Sequence, residues 1–199
     1  MIRQRSSTIP EIHTLKTRAI DAASHILASQ GVEDLSLRAI AEHAGIGIAS
    51  MYHYFENKDE LLLHLALRGF DELRREIVLR QSDPEAASPM RGSGRAFVDF
   101  ALSQPALFSL MFNERFMARH EVLRDAEQHC LRVYEAAVRA DNRIPPEHQA
   151  NAAFALWALG RGLAGMVCSQ PVAYIAAELN KRLSAGATYL IDRPRPAMA

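Results

Sequence analysis

Apolar residues recur at three- and four-residue spacing along nearly the whole chain, and no long segment alternates with period two. The pattern predicts an all-α protein of about nine helices. A first helix over Thr14–Gln30 places Leu15, Ala19, Ala22, Ala23, Ile26 and Leu27 on one face, and Gly31 supplies its C-terminal stop. Ser36 is a good N-cap for a second, short helix, Leu37–His43, with Leu37, Ile40 and Ala41 inward. Ala44-Gly45-Ile46 then forms a tight turn, with glycine where positive φ is needed. A third short helix, Gly47–Phe55, follows at once, with Met51 and Phe55 inward. Two short helices joined by a three-residue turn containing glycine make the helix-turn-helix pattern.

Asn57 caps a fourth helix, and Glu60 three residues on makes a capping-box-like pair. This helix runs to Gln81 with a stripe of Leu62, Leu65, Ala66, Gly69, Phe70, Leu73 and Ile77. At about 1.5 Å per residue it is long enough to bridge two bodies. The prolines, glycines and serines of Ser82–Arg95 mark the strongest break. The boundaries that follow are a head over residues 13–73, with its motif at 36–55, and a C-terminal body over 82–191. Helices are expected near 95–103, 105–113, 118–140, 146–169 and 173–191. In 118–140, Leu123, Ala126, Cys130, Val133 and Ala137 share a face. Residues 152–167 are apolar nearly all round, the mark of a helix covered on several sides. Gly160, Gly162 and Gly165 would admit a close neighbour there. The last two helices, 146–191, are therefore the expected homodimer surface.

The formal net charge of zero excludes a general nucleic-acid coat, which leans on a large positive excess. Residues 1–60 hold six Lys and Arg against eight Asp and Glu, so any DNA contact here rests on placed groups and helix ends. Cys130 and Cys168 lack metal-like companions and read as reduced, buried residues. Met1–Pro10 has no apolar core of a signal, and no run reaches membrane-spanning length. A cytoplasmic protein, not in a membrane, is the expectation. There is no His-Glu-x-x-His, no Cys-x-x-Cys and no phosphate loop, and no nucleophile–base pair assembles locally. No metal, no cofactor and no enzyme activity are expected.

The stretch Leu35–Leu61 closely resembles the DNA-binding head of the TetR family. The matching elements are Ala44-Gly45-Ile46, Tyr52-x-Tyr54-Phe55 and Asn57-Lys58-x-Glu60-Leu61. The resemblance implies that the third helix enters the major groove with Ala49, Ser50 and His53 toward base edges. Arg38 corresponds to a guanine-reading position, and Tyr52, Tyr54 and Lys58 would hold phosphates. Ser36 and Gly47, which begin the two motif helices, complete the DNA-facing set; the family commonly has Ser or Thr where Gly47 stands. Pro105–Phe112 is similar to a stretch in one branch of the family's ligand domains. That branch often carries a His-Gly pair after its Trp, whereas Trp157 here precedes Gly160-Arg161-Gly162.

A small-molecule cavity in the body is a further implication of the resemblance. Phe97, Phe100, Phe108, Met111, Phe112, Tyr134 and Trp157 are its expected lining, plain core packing being the other reading of each. Arg161 reads either as a partner for an acceptor on the effector, or as one half of a salt bridge to an acid such as Asp99, or as a head reaching solvent. The implied function is a repressor that leaves a palindromic DNA operator when an effector binds. An effector-independent nucleoid factor or activator, and a small all-α enzyme, remain as alternatives.

Overall fold

The computed structural model describes residues 9–86, 88–141 and 143–168. The helix expected over 173–191, and with it half of the expected dimer surface, lies outside the described residues. Among those residues there are nine α-helices, a short 3-10 turn and no strand. The head is built from α1 (Ile9–Gln30), α2 (Leu37–Ala44), α3 (Ile48–Tyr54) and the first half of α4 (Lys58–Gln81). The body adds α5 (Pro89–Ser103), α6 (Pro105–Met111), α7 (Glu114–Arg119), α8 (Glu121–Arg139) and α9 (Gln149–Cys168).

Local chemistry sets the ends of the head's helices. Ser36 Oγ accepts from Ala39 N at 3.1 Å, and Gly45 closes α2 in the left-handed region at φ 62°. Asn57 Oδ1 accepts from Glu60 N at 3.0 Å, while the Glu60 carboxylate reaches back to Glu56 N at 2.6 Å. That box closes one residue earlier than the usual pattern, before the cap itself. Met51 and Phe55 are fully buried, and the predicted stripe of α4 is buried along its whole length.

The body differs from the sequence pattern in two places. The break after α4 is shorter than its composition suggests, because Ser88 caps α5 and Pro89 occupies the first turn. Gly92 and Gly94 therefore lie inside a helix. Gly92 serves close approach, since any Cβ there would overlap the Arg80 carbonyl of α4. Second, the helix expected over 118–140 is α8, Glu121–Arg139, and it is preceded by an additional short helix, α7, over Glu114–Arg119. His120, in extended conformation, ends α7 and begins α8, and Asn113 caps α7 through Phe116 N at 2.9 Å.

The long α4 packs on α5 and α8 in the body and on α1 in the head, and α6 touches both α1 and α4. Gly69 makes the α4–α6 contact close: a Cβ there would stand 2.5 Å from Met111 Sδ. Phe70 of α4 meets the Phe112 ring edge-on at 5.2 Å. Head and body are also tied at the start of α4, where Asp59 pairs with Arg119 at 2.8 Å and His120 at 2.7 Å.

Candidate nucleic-acid interface and ligand cavity

Helix α3 is anchored by one fully buried side chain. Met51 faces the core, while Gly47, Ala49, Tyr52 and His53 are exposed and Ser50 and Tyr54 half-buried. Tyr52 is 62% exposed, far more than a tyrosine used for packing. Tyr54 packs on the core and meets the His53 ring edge-on at 5.5 Å. Arg38 stands exposed on α2, and among the described residues it makes no ion pair. The head therefore presents one exposed face, with polar and small apolar residues mixed, built from two short helices.

Two residues of that face are already engaged within the head. Ser36 spends its hydroxyl on the α2 cap. Lys58 Nζ donates to the Val32 carbonyl at 2.7 Å, tying the α1–α2 connector to the first turn of α4. Its place in the head is thus a structural tie. Gly47 caps α3 with backbone alone, and open space lies over it. Sequence reasoning passed over Ile48, an aliphatic residue 42% exposed on the first turn of α3. An apolar side chain there has the chemistry to meet a thymine methyl.

In the body a cavity of about 750 Å³ opens between α6, α7, α8 and α9. Phe108, Phe112, Trp157 and Arg161 line it. Phe97, Phe100, Met111 and Tyr134 do not; each is at most 5% exposed and packs in the core behind it. Phe97 backs the wall instead, edge-on to Trp157 at 4.9 Å and to Phe108 at 5.5 Å. Burial also lifts the Tyr134 hydroxyl to about 12.

Arg161 does not pair with Asp99, which bonds Arg80 and Arg95. Its Nη1 donates to Glu127 Oε1 at 3.2 Å, and the guanidinium lies 5.1 Å from the centre of the Phe112 ring. Glu127 Oε1 also accepts from Trp157 Nε1 at 3.3 Å. Glu127 was not among the sequence-derived candidates. Its signal was present, since an acid four residues after Leu123 and four before Leu131 sits in an otherwise apolar stripe. Glu114 and Phe154 also line the cavity, as do Gly162 and Gly165, over which space is open.

The two cysteines are free thiols. Cys130 is buried, donates to Phe70 O at 3.2 Å, and burial pushes its thiol up to about 12, so it stays protonated. Cys168 is half-buried at the cavity, and burial raises it too. Among the described residues no group of three or more His, Cys, Asp or Glu could hold a metal ion, and no helix is long and apolar enough to cross a membrane.

Fold and site define a helix-turn-helix head carried on a helical body with an open cavity between its helices. Two family models match the chain: bacterial regulatory proteins of the tetR family over residues 19–65, and the tetracyclin repressor-like C-terminal domain over residues 90–185. The chain belongs to the TetR family of bacterial regulatory proteins.

Among curated relatives, the chain is 27% identical over 120 residues to YobS of Bacillus subtilis, an uncharacterized HTH-type transcriptional regulator. That match covers 58% of this chain and 61% of the relative. It is 31% identical over 134 residues to the HTH-type transcriptional repressor KstR2 of Rhodococcus jostii, covering 62% of this chain and 65% of the relative. The chain thus spans about three fifths of the length of these two relatives. Of solved structures, the putative regulatory protein SCO4313 shares the fold at TM-score 0.75 and 18% identity, over 94% of this chain and 100% of that one. The SmeT–triclosan complex does so at TM-score 0.59 and 20% identity, over 86% and 91%.

Proposed function

We propose that the chain is a homodimeric, sequence-specific DNA-binding repressor, released from a palindromic operator when a small molecule fills the body's cavity. The observation that carries this reading is the position of α6. One of its faces forms the cavity wall through Phe108 and Phe112, and the other packs on α4 through Met111 and Gly69. A ligand that moves α6 therefore pushes on the helix whose first half belongs to the head. Two recognition helices must match half-sites about 34–36 Å apart, so a shift of a few ångströms in the heads is enough to lose the operator. Within the head, α3 enters the major groove; Arg38, Ala49, Ser50, His53 and Ile48 meet base edges, and Tyr52, Tyr54 and Lys58 lie toward phosphates.

The dimer surface is α9 together with the helix expected after it. Leu159 of α9 is 39% exposed, an apolar position that supports this reading. The coarser reading also has support in the names of similar proteins, a transcriptional repressor and a complex of SmeT with triclosan.

Operator selection from random DNA, followed by sedimentation of the complex, tests the reading. The expected outcome is a selected site with two-fold symmetry that binds two chains. Selection of no consensus, or a complex with one chain on an asymmetric site, overturns it.

A further inference from the structure

The cavity's charge is not what a lone arginine on an apolar helix suggests. Among the described residues its charged lining is Glu114, Glu127 and Arg161, two carboxylates against one guanidinium. Arg161 is already engaged by Glu127 Oε1, which also holds Trp157 Nε1. An anionic ligand at Arg161 would have to compete with Glu127 and approach Glu114 as well, in a site partly withdrawn from water, where like charges repel strongly. A cation must displace Arg161 from Glu127, but both carboxylates attract it. Among the described residues, Glu127 Oε2 accepts no hydrogen bond. Phe108, Phe112, Phe154 and Trp157 line its walls, and the face of an aromatic ring attracts a positive charge. One such face already bears a cation, the protein's own Arg161 guanidinium over Phe112.

We propose that the cavity takes a lipophilic organic cation, an amine or onium ion on an aromatic or branched apolar body. Its charge sits between Glu127 and the Phe112 face, displacing the Arg161 guanidinium, and its apolar part lies against Phe108, Phe154 and Trp157. The inference rests on the reading of the cavity as the effector site and names the effector's chemical class. It also gives the ligand a direct hold on the bridging helix, because Phe112, whose cation is exchanged, touches Phe70 of α4.

The test is calorimetric titration of the full chain with three probes of similar shape: tetraphenylphosphonium, neutral triphenylphosphine oxide and tetraphenylborate. The phosphonium is expected to bind about ten-fold tighter than the oxide, and the borate to show no saturable binding. Glu127→Gln keeps an acceptor for Trp157 and Arg161 but removes the charge, and is expected to weaken the phosphonium about ten-fold while leaving the oxide unchanged. Phe112→Leu, which does not disturb that acceptor, is expected to weaken the phosphonium selectively as well, and serves if Glu127→Gln does not fold. Equal affinity for cation and neutral probe, tighter binding of the borate, or no saturable phosphonium binding overturns the proposal. Selective phosphonium binding that leaves operator affinity unchanged upholds the charge preference and removes the effector reading instead.

Discussion

The head and the body are both helical, yet they use their sequences in opposite ways. In the head the interior is settled and the exterior carries the chemistry. Met51, Phe55, Leu61 and Ile40 are fully buried, and what varies in function is the outward row of α2 and α3. In the body the exterior of α5 to α8 is ordinary and the interior carries the chemistry, with a cavity walled by rings and an ion pair. Short-range rules hold the head together: caps, a left-handed glycine and capping-box carboxylates. Long-range packing holds the body together: Gly92 against Arg80, Gly69 against Met111, Gly160 against the Phe97 ring. The lesson is that one long helix, α4, can join a head whose exposed groups lie on its outside to a body whose rings and ion pair gather around a cavity.

The comparison breaks most visibly where packing is tightest. Gly92→Ala puts a Cβ on the Arg80 carbonyl, and backbone cannot give way as a side-chain end can. A loss of about 3 kcal/mol is expected, at the upper end of overpacking effects. Chemical denaturation measures it, and a change within about 0.5 kcal/mol, the range of an ordinary surface substitution, would mean that α5 is not held this closely. Next comes the outward face of the head. Arg38→Ala is expected to relax preference at one position of each half-site and to weaken the operator by about 1–3 kcal/mol, with fold stability unchanged. Lys58→Ala is expected to weaken all DNA sequences alike and also to lower the melting temperature, because it releases Val32. Affinities over a library of single-substitution operators separate the two, and identical profiles would make Arg38 a phosphate clamp only.

Smaller effects sharpen the local side of the contrast. Ser36→Ala removes the acceptor of Ala39 N and is expected to lower stability by about 1 kcal/mol, while Ser36→Gly lowers it by only a few tenths. Equal losses for the two would show that the hydroxyl is not the cap. The smallest effect is a pH slope in the head. His64 lies half-buried on α4, its Nε2 3.1 Å from Lys16 Nζ and its ring edge-on to Phe55. Burial first, then the Lys16 charge, holds its pKa below 6.5, against a weaker opposing pull from Glu60. Between the lowered folded value and 6.5 the unfolded chain binds more protons, so stability rises with pH in that window. The His64 contribution is present above about 6.5 and is lost as pH falls toward the folded value. Denaturation midpoints from pH 7 to 5 should fall less steeply in His64→Gln, and parallel slopes would count against the assignment.

Much of the head was legible because its determinants are local. Ser36, Gly45 and Asn57 each act within four residues of their own position, and the inward rows of α2, α3 and α4 follow from helical spacing alone. What sequence reasoning could not supply was how those residues are spent. Lys58 reads as a free cation until Val32, far along the chain, is seen beside it. The body was legible as helices but not as a site. Phe97, Phe100, Met111 and Tyr134 have the same composition and spacing as Phe108, Phe112 and Trp157, and only packing decides which set walls the cavity. Arg161 drew notice as a charge on an apolar helix, but its partner depended on how α8 and α9 rotate against one another. Position 127 became significant only with that rotation. Pro89, Gly92 and Gly94 misled because helix breakers also serve as first-turn residues and close-approach sites.

The central claim is that the cavity and the DNA-reading face are coupled through α6 and α4. The most direct measurement is operator affinity of the full chain, by fluorescence anisotropy, with and without a saturating cavity ligand found by thermal shift and lost in Phe112→Leu. A ligand that prefers the non-binding state about 100-fold is worth about 2.7 kcal/mol, and operator affinity should fall by up to that factor. By linkage, saturating operator should weaken the same ligand equally. A ligand that occupies the cavity tightly and leaves operator affinity unchanged would contradict the account.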